Sequence, residues 1–224
     1  MTDAVLFDFG GTLDADGLAW KERFAQLFAE EGAGASSDRF DPVFYAADDA
    51  LVGTIPETLS FHDTVHQVAE GVAQALQPGD PALAGRVAAR FLAEARAAID
   101  ANRPLLERLS ERYRLGIVSN FYGNLATVCD NAELTRLFSV IVDSARVGLS
   151  KPDPRIFFRA MNDLRIAPAK TVFVGDSLAR DMAGARAAGM RHVWLTPDPV
   201  RQGLPCCPGD RVIRSLRELE GLLP

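Results

Sequence analysis

The sequence predicts an α/β fold: a doubly wound parallel β-sheet covered by helices on both faces, with an all-helical insertion after the first strand. Two observations carry this prediction. From residue 103 onward, short apolar runs alternate with helical patterns, which is typical of parallel strands buried on both faces. Between the first apolar run and residue 103, the helical patterns occur without a convincing strand. We therefore expect a core domain of residues 1–14 and 103–224 and an inserted helical domain of residues 15–102.

The predicted core strands are short apolar runs bounded by polar or turn residues. The first is the run AVLF near the N-terminus. Later runs occupy residues 115–120, 140–144, 171–176 and 191–197, and a weaker one lies near 211–216. Helical segments separate these runs, beginning with PLLERLSERY, which we expect to be a separate helix.

The predicted insertion consists of helices and turns. Apolar residues recur at helical spacing over residues 18–31 and again over residues 61–76. The segment between them, residues 33–60, is mixed and rich in turn residues. After the break PGDPA, an alanine-rich helix is predicted around residues 82–101.

Composition excludes several classes of function. The chain has 224 residues, is 48% hydrophobic and carries a net charge of −6, which argues against a general basic surface for nucleic acid or anionic membranes. It has no run of eighteen apolar residues and no N-terminal signal pattern, so we expect a soluble cytoplasmic protein. Its three cysteines, Cys129, Cys206 and Cys207, have neither disulfide-framework nor zinc spacing, and we expect inert thiols.

Polar residues follow the apolar runs where an active site would lie. In open α/β sheets the functional crevice lies beyond the carboxyl ends of the strands. Asp8 ends the first run, Ser119 and Asn120 end the second, and Asp176 ends the run TVFVG. Lys151, one of only three lysines, lies in the loop GLSKPDP. A carboxylate, a hydroxyl, an ammonium and a second carboxylate at these positions indicate a catalytic site.

Four motifs, DFGGTLD, IVSN, GLSKPDPRIF and VFVGDSLARDMAGA, resemble in order and spacing those of the haloacid dehalogenase-like hydrolase superfamily. The resemblance covers the whole chain, and the helical insertion resembles the cap that this superfamily places over its active site. It implies a Rossmann-like core, a covalent aspartyl intermediate and, in most members, Mg²⁺. The implied substrate is a small phosphorylated molecule.

The resemblance also implies a role for each motif residue. Asp8 would be the nucleophile, with Thr12 in the same site. Ser119, together with the backbone of Asn120, would hydrogen-bond the transferring group. Lys151 would neutralise charge on Asp8 and on the substrate.

The same resemblance implies a magnesium site. Asp8 and Asp176 would supply carboxylate oxygens and Gly10 a backbone carbonyl, as suits a hard cation. Asp181 would hold either a metal-bound water or Lys151.

Gly10 departs from the family's phosphatase pattern. The residue at this position normally contributes its carbonyl to Mg²⁺ and its carboxyl as the general acid and base, and glycine keeps only the first role. A general acid or base contributes about 10²–10⁴-fold, so phosphoryl transfer could survive at a lower rate. Asp14 and Asp16 are the candidate substitutes on the connecting segment, although we expect both to be exposed hinge residues.

Three functions remain open. The first is a phosphatase that is slow or specialised because of Gly10, and it is favoured because GDSLARD keeps a phosphatase-like carboxylate. The second is hydrolysis of a carbon–halogen bond, and the third is a non-catalytic binding protein with the same fold. The sequence names neither the physiological substrate nor the oligomeric state.

The inserted domain offers further candidates whose ordinary interpretation is structural. His62 and His66 have the i, i+4 spacing of metal ligands but lack a visible third ligand, so we expect ordinary cap residues. Aromatic residues of a small helical domain belong to its core more often than to a pocket. The candidates for the cap side of the pocket are Trp20, Arg23, Phe44 and Tyr45.

Overall fold

A six-stranded, all-parallel sheet forms the centre of the protein. The computed structural model describes residues 2–77, 79–197 and 211–223. The strands are β1 (Ala4–Phe7), β2 (Arg114–Ser119), β3 (Val140–Asp143), β4 (Thr171–Gly175), β5 (Arg191–Leu195) and β6 (Arg211–Ile213). Their order in the sheet is β3-β2-β1-β4-β5-β6, and every neighbouring pair is parallel. The predicted α/β fold with a doubly wound parallel sheet is confirmed.

β1 lies at the point where the strand order reverses. Phe7 is in register with Ile117 of β2 on one side and with Val174 of β4 on the other. All four residues of β1 are buried, as expected for a central strand covered on both faces. The residues that follow β1 therefore enter the crevice in which α/β proteins bind their ligands.

The insertion consists of four helices, two of which were predicted closely. They are α1 (Trp20–Glu30), α2 (Ser37–Asp49), α3 (Phe61–Leu76) and α4 (Leu83–Ser110). α3 begins at the predicted residue, where the Ser60 side chain caps it by accepting the N–H of Asp63 at 3.0 Å.

The sequence analysis missed α2. Pro42 and several aspartates weaken its local helical pattern, so residues 33–60 were expected to be turns. Tertiary packing compensates for this weak propensity. Phe40 and Phe44 are buried, and their rings lie 6.0 Å from Phe28 and 5.6 Å from Phe24 respectively.

α4 is one helix of 28 residues where the sequence predicted two. The expected domain boundary between residues 102 and 103 falls inside it. Pro104 lacks the N–H that would bond to the carbonyl one turn earlier, a common reason for a helix to end. Here the helix continues, and Leu105, Leu106 and Leu109 after the proline are buried.

The core helices follow the strands. They are α5 (Leu125–Asn131), α6 (Ser144–Val147), α7 (Pro154–Leu164) and α8 (Ala183–Ala187), with a π-helical turn at Leu178–Met182 and 3₁₀ turns at Thr135–Leu137, Pro168–Lys170 and Leu216–Gly221. No described helix is both long and apolar enough to cross a membrane.

One hydrophobic cluster joins the sheet to the insertion. It contains Val5 and Phe7 of β1 and continues through Phe9 into the helices of the insertion. The ring of Phe9 lies 5.8 Å from Phe61 of α3 and 5.7 Å from Phe121, which follows β2. A separate cluster covers the other face of the sheet.

The segment between β1 and α1 is anchored by a buried ion pair. Asp14 accepts the N–H of Gly11 at 2.7 Å and lies 2.9 Å from Arg23 Nη1, and Arg23 Nη2 donates to the carbonyl of Phe91 at 3.0 Å. The expectation that Asp14 is exposed is wrong, because its side chain is enclosed between α1 and the β1 loop. Burial raises the pKa of Asp14, and Arg23 opposes that shift. Asp16 is exposed, as expected.

Replacing Arg23 with Met should lower the free energy of unfolding by about 3–5 kcal/mol, because the buried Asp14 carboxylate loses its cation. The matched control is Arg86→Met. Arg86 is an arginine of α4 that pairs with Glu31 and Asp80 at the surface, where such pairs contribute little. Urea unfolding of both variants measures the difference, and equal losses would show that the Asp14–Arg23 pair is not a special anchor.

Candidate active site

A cavity of about 430 Å³ opens at the carboxyl ends of β1, β2 and β4, between the sheet and the insertion. On the core side it is lined by the predicted site residues Asp8, Gly10, Ser119, Asn120, Lys151, Asp176 and Asp181. On the other side it is lined by Trp20 and Phe44, which are also buried, and by Tyr45. Arg23 is not part of the lining, because it binds Asp14.

Lys151 bridges two carboxylates at the centre of this site. Its Nζ lies 2.7 Å from Asp8 Oδ1 and 2.6 Å from Asp181 Oδ1, and its side chain is buried. Burial alone would lower the pKa of Lys151, but Asp181 and Asp8 outweigh burial and raise the pKa above its usual value. Lys151 is therefore an ammonium at neutral pH.

Asn120 fixes the backbone of Lys151. The Asn120 side chain accepts the N–H of Lys151 at 2.7 Å and donates to the carbonyl of Lys151 at 3.1 Å. This clamp holds the lysine loop beside the end of β2. The sequence analysis missed this role, since a spacing of 31 residues gives no sign of contact.

Asp176 ends β4 next to the loop that follows β1. It accepts a hydrogen bond from Thr12 Oγ1 at 3.2 Å, and its backbone carbonyl accepts from Trp194 Nε1 at 2.8 Å. Gly11 has a φ of +88°, and a Cβ there would lie 2.7 Å from Asp176 Oδ2, so only glycine allows this approach. Burial, followed by repulsion from Asp181 and Asp8, raises the pKa of Asp176.

Asp181 is held from two sides. One oxygen contacts Lys151, and Oδ2 accepts the N–H of Ser177 at 2.9 Å. Burial raises the pKa of Asp181 to about 6, although Lys151 opposes that shift.

The three carboxylates fit a divalent cation. Asp8, Asp176 and Asp181 each offer an oxygen within 4.8 Å of the others, and within the described ranges this is the one group of three or more potential ligands of that kind. Among the described residues, Lys151 is the cation that contacts Asp8 and Asp181 directly. Apart from Lys151, no described group donates a hydrogen bond to Asp8 Oδ1 or Asp181 Oδ1. Oxygen donors with excess negative charge suit Mg²⁺.

The loop after β2 is shaped by a carboxylate that the sequence analysis did not single out. Asp143, at the end of β3, accepts the N–H groups of Gly123 and Leu125 at 2.9 and 3.0 Å. This loop carries Ser119 and Asn120 at its start. Ser119 is buried and lines the cavity next to Asp143 in the sheet register.

Gly10 faces the insertion. A Cβ on Gly10 would lie 3.0 Å from Trp20 Nε1, and the φ of Gly10 is outside the left-handed region. A side chain at this position is therefore opposed by the indole ring rather than by the backbone.

The remaining candidates stay outside the site. The rings of His62 and His66 stack 6.2 Å apart, and they belong to no group of three potential ligands among the residues described. Cys129 is buried, and burial raises the pKa of its thiol to about 12. Cys206 and Cys207 lie outside the described residues.

Comparisons with known proteins identify the family of the chain. Residues 2–189 match the family model described as haloacid dehalogenase-like hydrolase. A phosphoserine phosphatase of Thermus thermophilus is 44% identical over 64 residues, which cover 29% of this chain and 26% of that protein. A glyceraldehyde 3-phosphate phosphatase of Pyrococcus furiosus is 33% identical over 98 residues, which cover 42% of this chain and 40% of the relative. The chain matches about half or less of the length of its curated relatives.

Solved structures share the whole fold. The HAD-hydrolase YfnB of Bacillus subtilis, solved bound to magnesium, has a TM-score of 0.59 and 21% identity, covering 99% of this chain and 98% of that one. A HAD phosphatase of Thermococcus onnurineus has a TM-score of 0.57 and 25% identity, with 99% and 98% coverage.

Magnesium should stabilise the protein more at about pH 7.5 than at about pH 5. The pKa of Asp181 is raised from 3.8 to about 6, so without metal its stabilising contribution is present at low pH and is lost as pH rises through about 6. Burial raises the pKa of Asp176 as well, so the ionised carboxylates that Mg²⁺ would need form as pH rises, and stabilisation by Mg²⁺ should grow in the same direction. The shift of Tm on adding Mg²⁺ at both pH values tests this.

The matched variants are Asp176→Asn and Asp163→Asn. Asp176→Asn should reduce the Mg²⁺-induced shift of Tm, because it removes a carboxylate of the cluster. Asp163 is an exposed residue that pairs with Arg159, so its variant should keep the full shift. An equal Mg²⁺ effect in both variants would contradict a metal site at Asp176.

Proposed function

The chain belongs to the haloacid dehalogenase-like hydrolase family, and on that basis we propose that it is a Mg²⁺-dependent phosphatase that acts on a small phosphorylated molecule. The observation that carries the proposal is the buried Asp8–Lys151–Asp181 bridge beside Asp176, in a cavity large enough for a small ligand. Relatives named as phosphatases of phosphoserine and glyceraldehyde 3-phosphate support this chemistry.

In the proposed reaction, Asp8 is the nucleophile. One of its oxygens contacts Lys151, and the other is available to attack phosphorus. The new O–P bond forms an aspartyl phosphate while the bond from phosphorus to the leaving oxygen breaks. Water then attacks the aspartyl phosphate, which releases inorganic phosphate and restores Asp8.

Ser119, the Asn120 backbone and Lys151 would stabilise the phosphoryl group. Ser119 lines the cavity at the end of β2, and the Lys151 ammonium already faces Asp8. Positive charge and hydrogen-bond donors that are fixed before the reaction stabilise developing negative charge at low reorganisation cost.

Asp8, Asp176 and the Gly10 carbonyl would hold Mg²⁺. The bound ion would neutralise negative charge on the phosphoryl oxygens. One oxygen of Asp181 contacts Lys151, and the other accepts the N–H of Ser177. These contacts favour a role for Asp181 in holding Lys151 over a role in holding a metal-bound water. Thr12 supports Asp176 by donating a hydrogen bond to it.

The leaving group has no acid at position 10. Asp14 cannot replace it, because its two carboxylate oxygens are occupied by Gly11, Trp20 and Arg23. We therefore propose that the leaving oxygen departs with little protonation, and the carboxyl against which this is tested is Asp48 of α2, which also lines the cavity.

Asp8→Asn should lower phosphate release from p-nitrophenyl phosphate by at least about 10²-fold, because an amide cannot form the aspartyl intermediate. The control is Asp16→Asn, an exposed carboxylate on the same segment, which should keep wild-type activity. Activity of Asp8→Asn above a few per cent would remove Asp8 from the nucleophile role. Release of halide from 2-haloacids without metal would instead support carbon–halogen hydrolysis.

Turnover should depend steeply on the acidity of the leaving group. Without a general acid, aryl and acyl phosphates should react faster than alkyl phosphates by up to about 10²–10⁴-fold. A series of phosphate monoesters with graded leaving-group pKa, measured at saturating Mg²⁺, gives the slope. A flat series would indicate another proton donor, and the first to test is Asp48, the carboxyl of α2 that lines the cavity.

A further inference from the structure

We propose that Trp20 determines the leaving-group specificity of this site and that the substrates are phosphate monoesters of aromatic hydroxyl compounds. The inference rests on the proposed phosphatase function and deepens it. Trp20 occupies the space in front of Gly10 where an acid side chain would begin. It offers the leaving group an aromatic surface and no proton donor.

The steric relation between Gly10 and Trp20 is direct. A Cβ on Gly10 would lie 3.0 Å from Trp20 Nε1 and 3.2 Å from Cδ1. Because Gly10 has no positive φ, its backbone would accept another residue. The indole ring is therefore the obstacle, so the presence of Trp20 and the absence of an acid at position 10 are one structural feature.

The indole ring is held in place. Its Nε1 donates to Asp14 Oδ2 at 2.8 Å, and Arg23 fixes Asp14 from the other side. The ring packs edge-on against Phe91 at 5.0 Å and stacks on Phe61 at 6.2 Å. Only 8% of Trp20 is exposed, and Trp20 belongs to the lining of the cavity. A rigid ring of this kind is a binding surface that loses little entropy when a ligand docks.

Four further aromatic residues line the cavity with Trp20, beside the charged residues Lys21, Glu22, Asp48 and Arg180. Phe44 and Tyr45 of α2 and Phe121 and Tyr122 after β2 line the same cavity. Aromatic rings attract one another through offset or edge-on contacts. A leaving group that contains a ring would therefore find partners here.

The chemistry of the leaving oxygen points to the same class. A phenolic hydroxyl has a pKa of about 10, as in tyrosine, whereas water itself has a pKa of about 15.7. A phenolate can therefore depart without a general acid much more readily than an alkoxide can. The missing acid at position 10 and the aromatic residues of the cavity therefore both favour an aryl ester.

The test compares two probes, phenyl phosphate and acetyl phosphate. Acetyl phosphate has an acidic leaving group without a ring, so the change in the phenyl-to-acetyl ratio of kcat/KM between the wild type and a variant reports the loss of the aromatic contact. Trp20→Leu should lower this ratio about 3- to 10-fold. The control is Phe24→Leu, whose ring packs 6.3 Å from Trp20 outside the cavity lining and whose variant should keep the ratio.

The possible results distinguish failure of the phosphatase proposal from failure of the proposed role of Trp20. If the wild-type protein releases no phosphate from any probe, the phosphatase function is wrong. If it releases phosphate but Trp20→Leu loses the same factor on phenyl and acetyl phosphate, the role of Trp20 is structural and this inference fails. Because a ratio within one variant cancels the folded fraction, partial destabilisation does not affect the result.

A second experiment tests the steric relation between Gly10 and Trp20 through thermal stability, with no activity measurement. Gly10→Asp should lower Tm more in the wild-type background than in Trp20→Leu, where the added side chain has room. Equal loss of Tm in both backgrounds would show that Trp20 does not occupy the acid's space. Should Trp20→Leu fail to fold, Gly10→Ala replaces it, since its Cβ must displace the ring by a few tenths of an ångström. Gly10→Ala should then change the phenyl-to-acetyl ratio, and an unchanged ratio would overturn the inference.

Discussion

The contact of one buried ammonium with two carboxylates is the interaction on which the site depends. Asp8 follows β1, and Asp181 lies in the π-helical turn after the neighbouring strand β4. Their mutual repulsion would be strong in a poorly solvated crevice. Lys151 lies between them at 2.7 and 2.6 Å and relieves that repulsion. It leaves the cluster of three carboxylates with excess negative charge, which a divalent cation can neutralise. Lys151 thus holds two of the carboxylates together, and the remaining negative charge of the cluster is available to a divalent cation.

A second constraint comes from the short loop after β1. Gly11 must be glycine because Asp176 approaches where its Cβ would be, and Gly10 is crowded by Trp20. The loop then continues to Asp14, which is paired with Arg23 in α1. Asp8, the loop and the first helix of the insertion are therefore joined within a few residues, and buried polar contacts hold this segment in place.

The parts of the structure that could be predicted are those with local signals. Apolar runs indicated the strands, and the polar residue that ends each run placed Asp8, Ser119 and Asp176 at one edge of the sheet. The missed features depend on distant contacts: α2 is stabilised by phenylalanines that pack on α1, and α4 continues through Pro104. The Asn120 clamp on Lys151 and the burial of Asp14 likewise require the folded chain. The contact between Gly10 and Trp20 has no local signal either, although the missing acid itself was visible.

The absence of an acid at position 10 therefore has a different meaning in the structure from the one it has in the sequence. In the sequence, glycine is a lost functional group whose task another carboxylate nearby could take over. In the structure, the nearest such carboxylate, Asp14, is committed to holding Trp20 and Arg23, and the indole ring closes the vacant space. Asp14, which could have served as a substitute acid, thus holds the Trp20 ring that lies in front of Gly10. A side chain at position 10 would require the ring to shift by a few tenths of an ångström, and that ring is held by its hydrogen bond to Asp14. For this reason, position 10, Trp20 and Asp14 form one packed unit, which would link the proposed chemistry of the leaving group to the packing of the helical insertion.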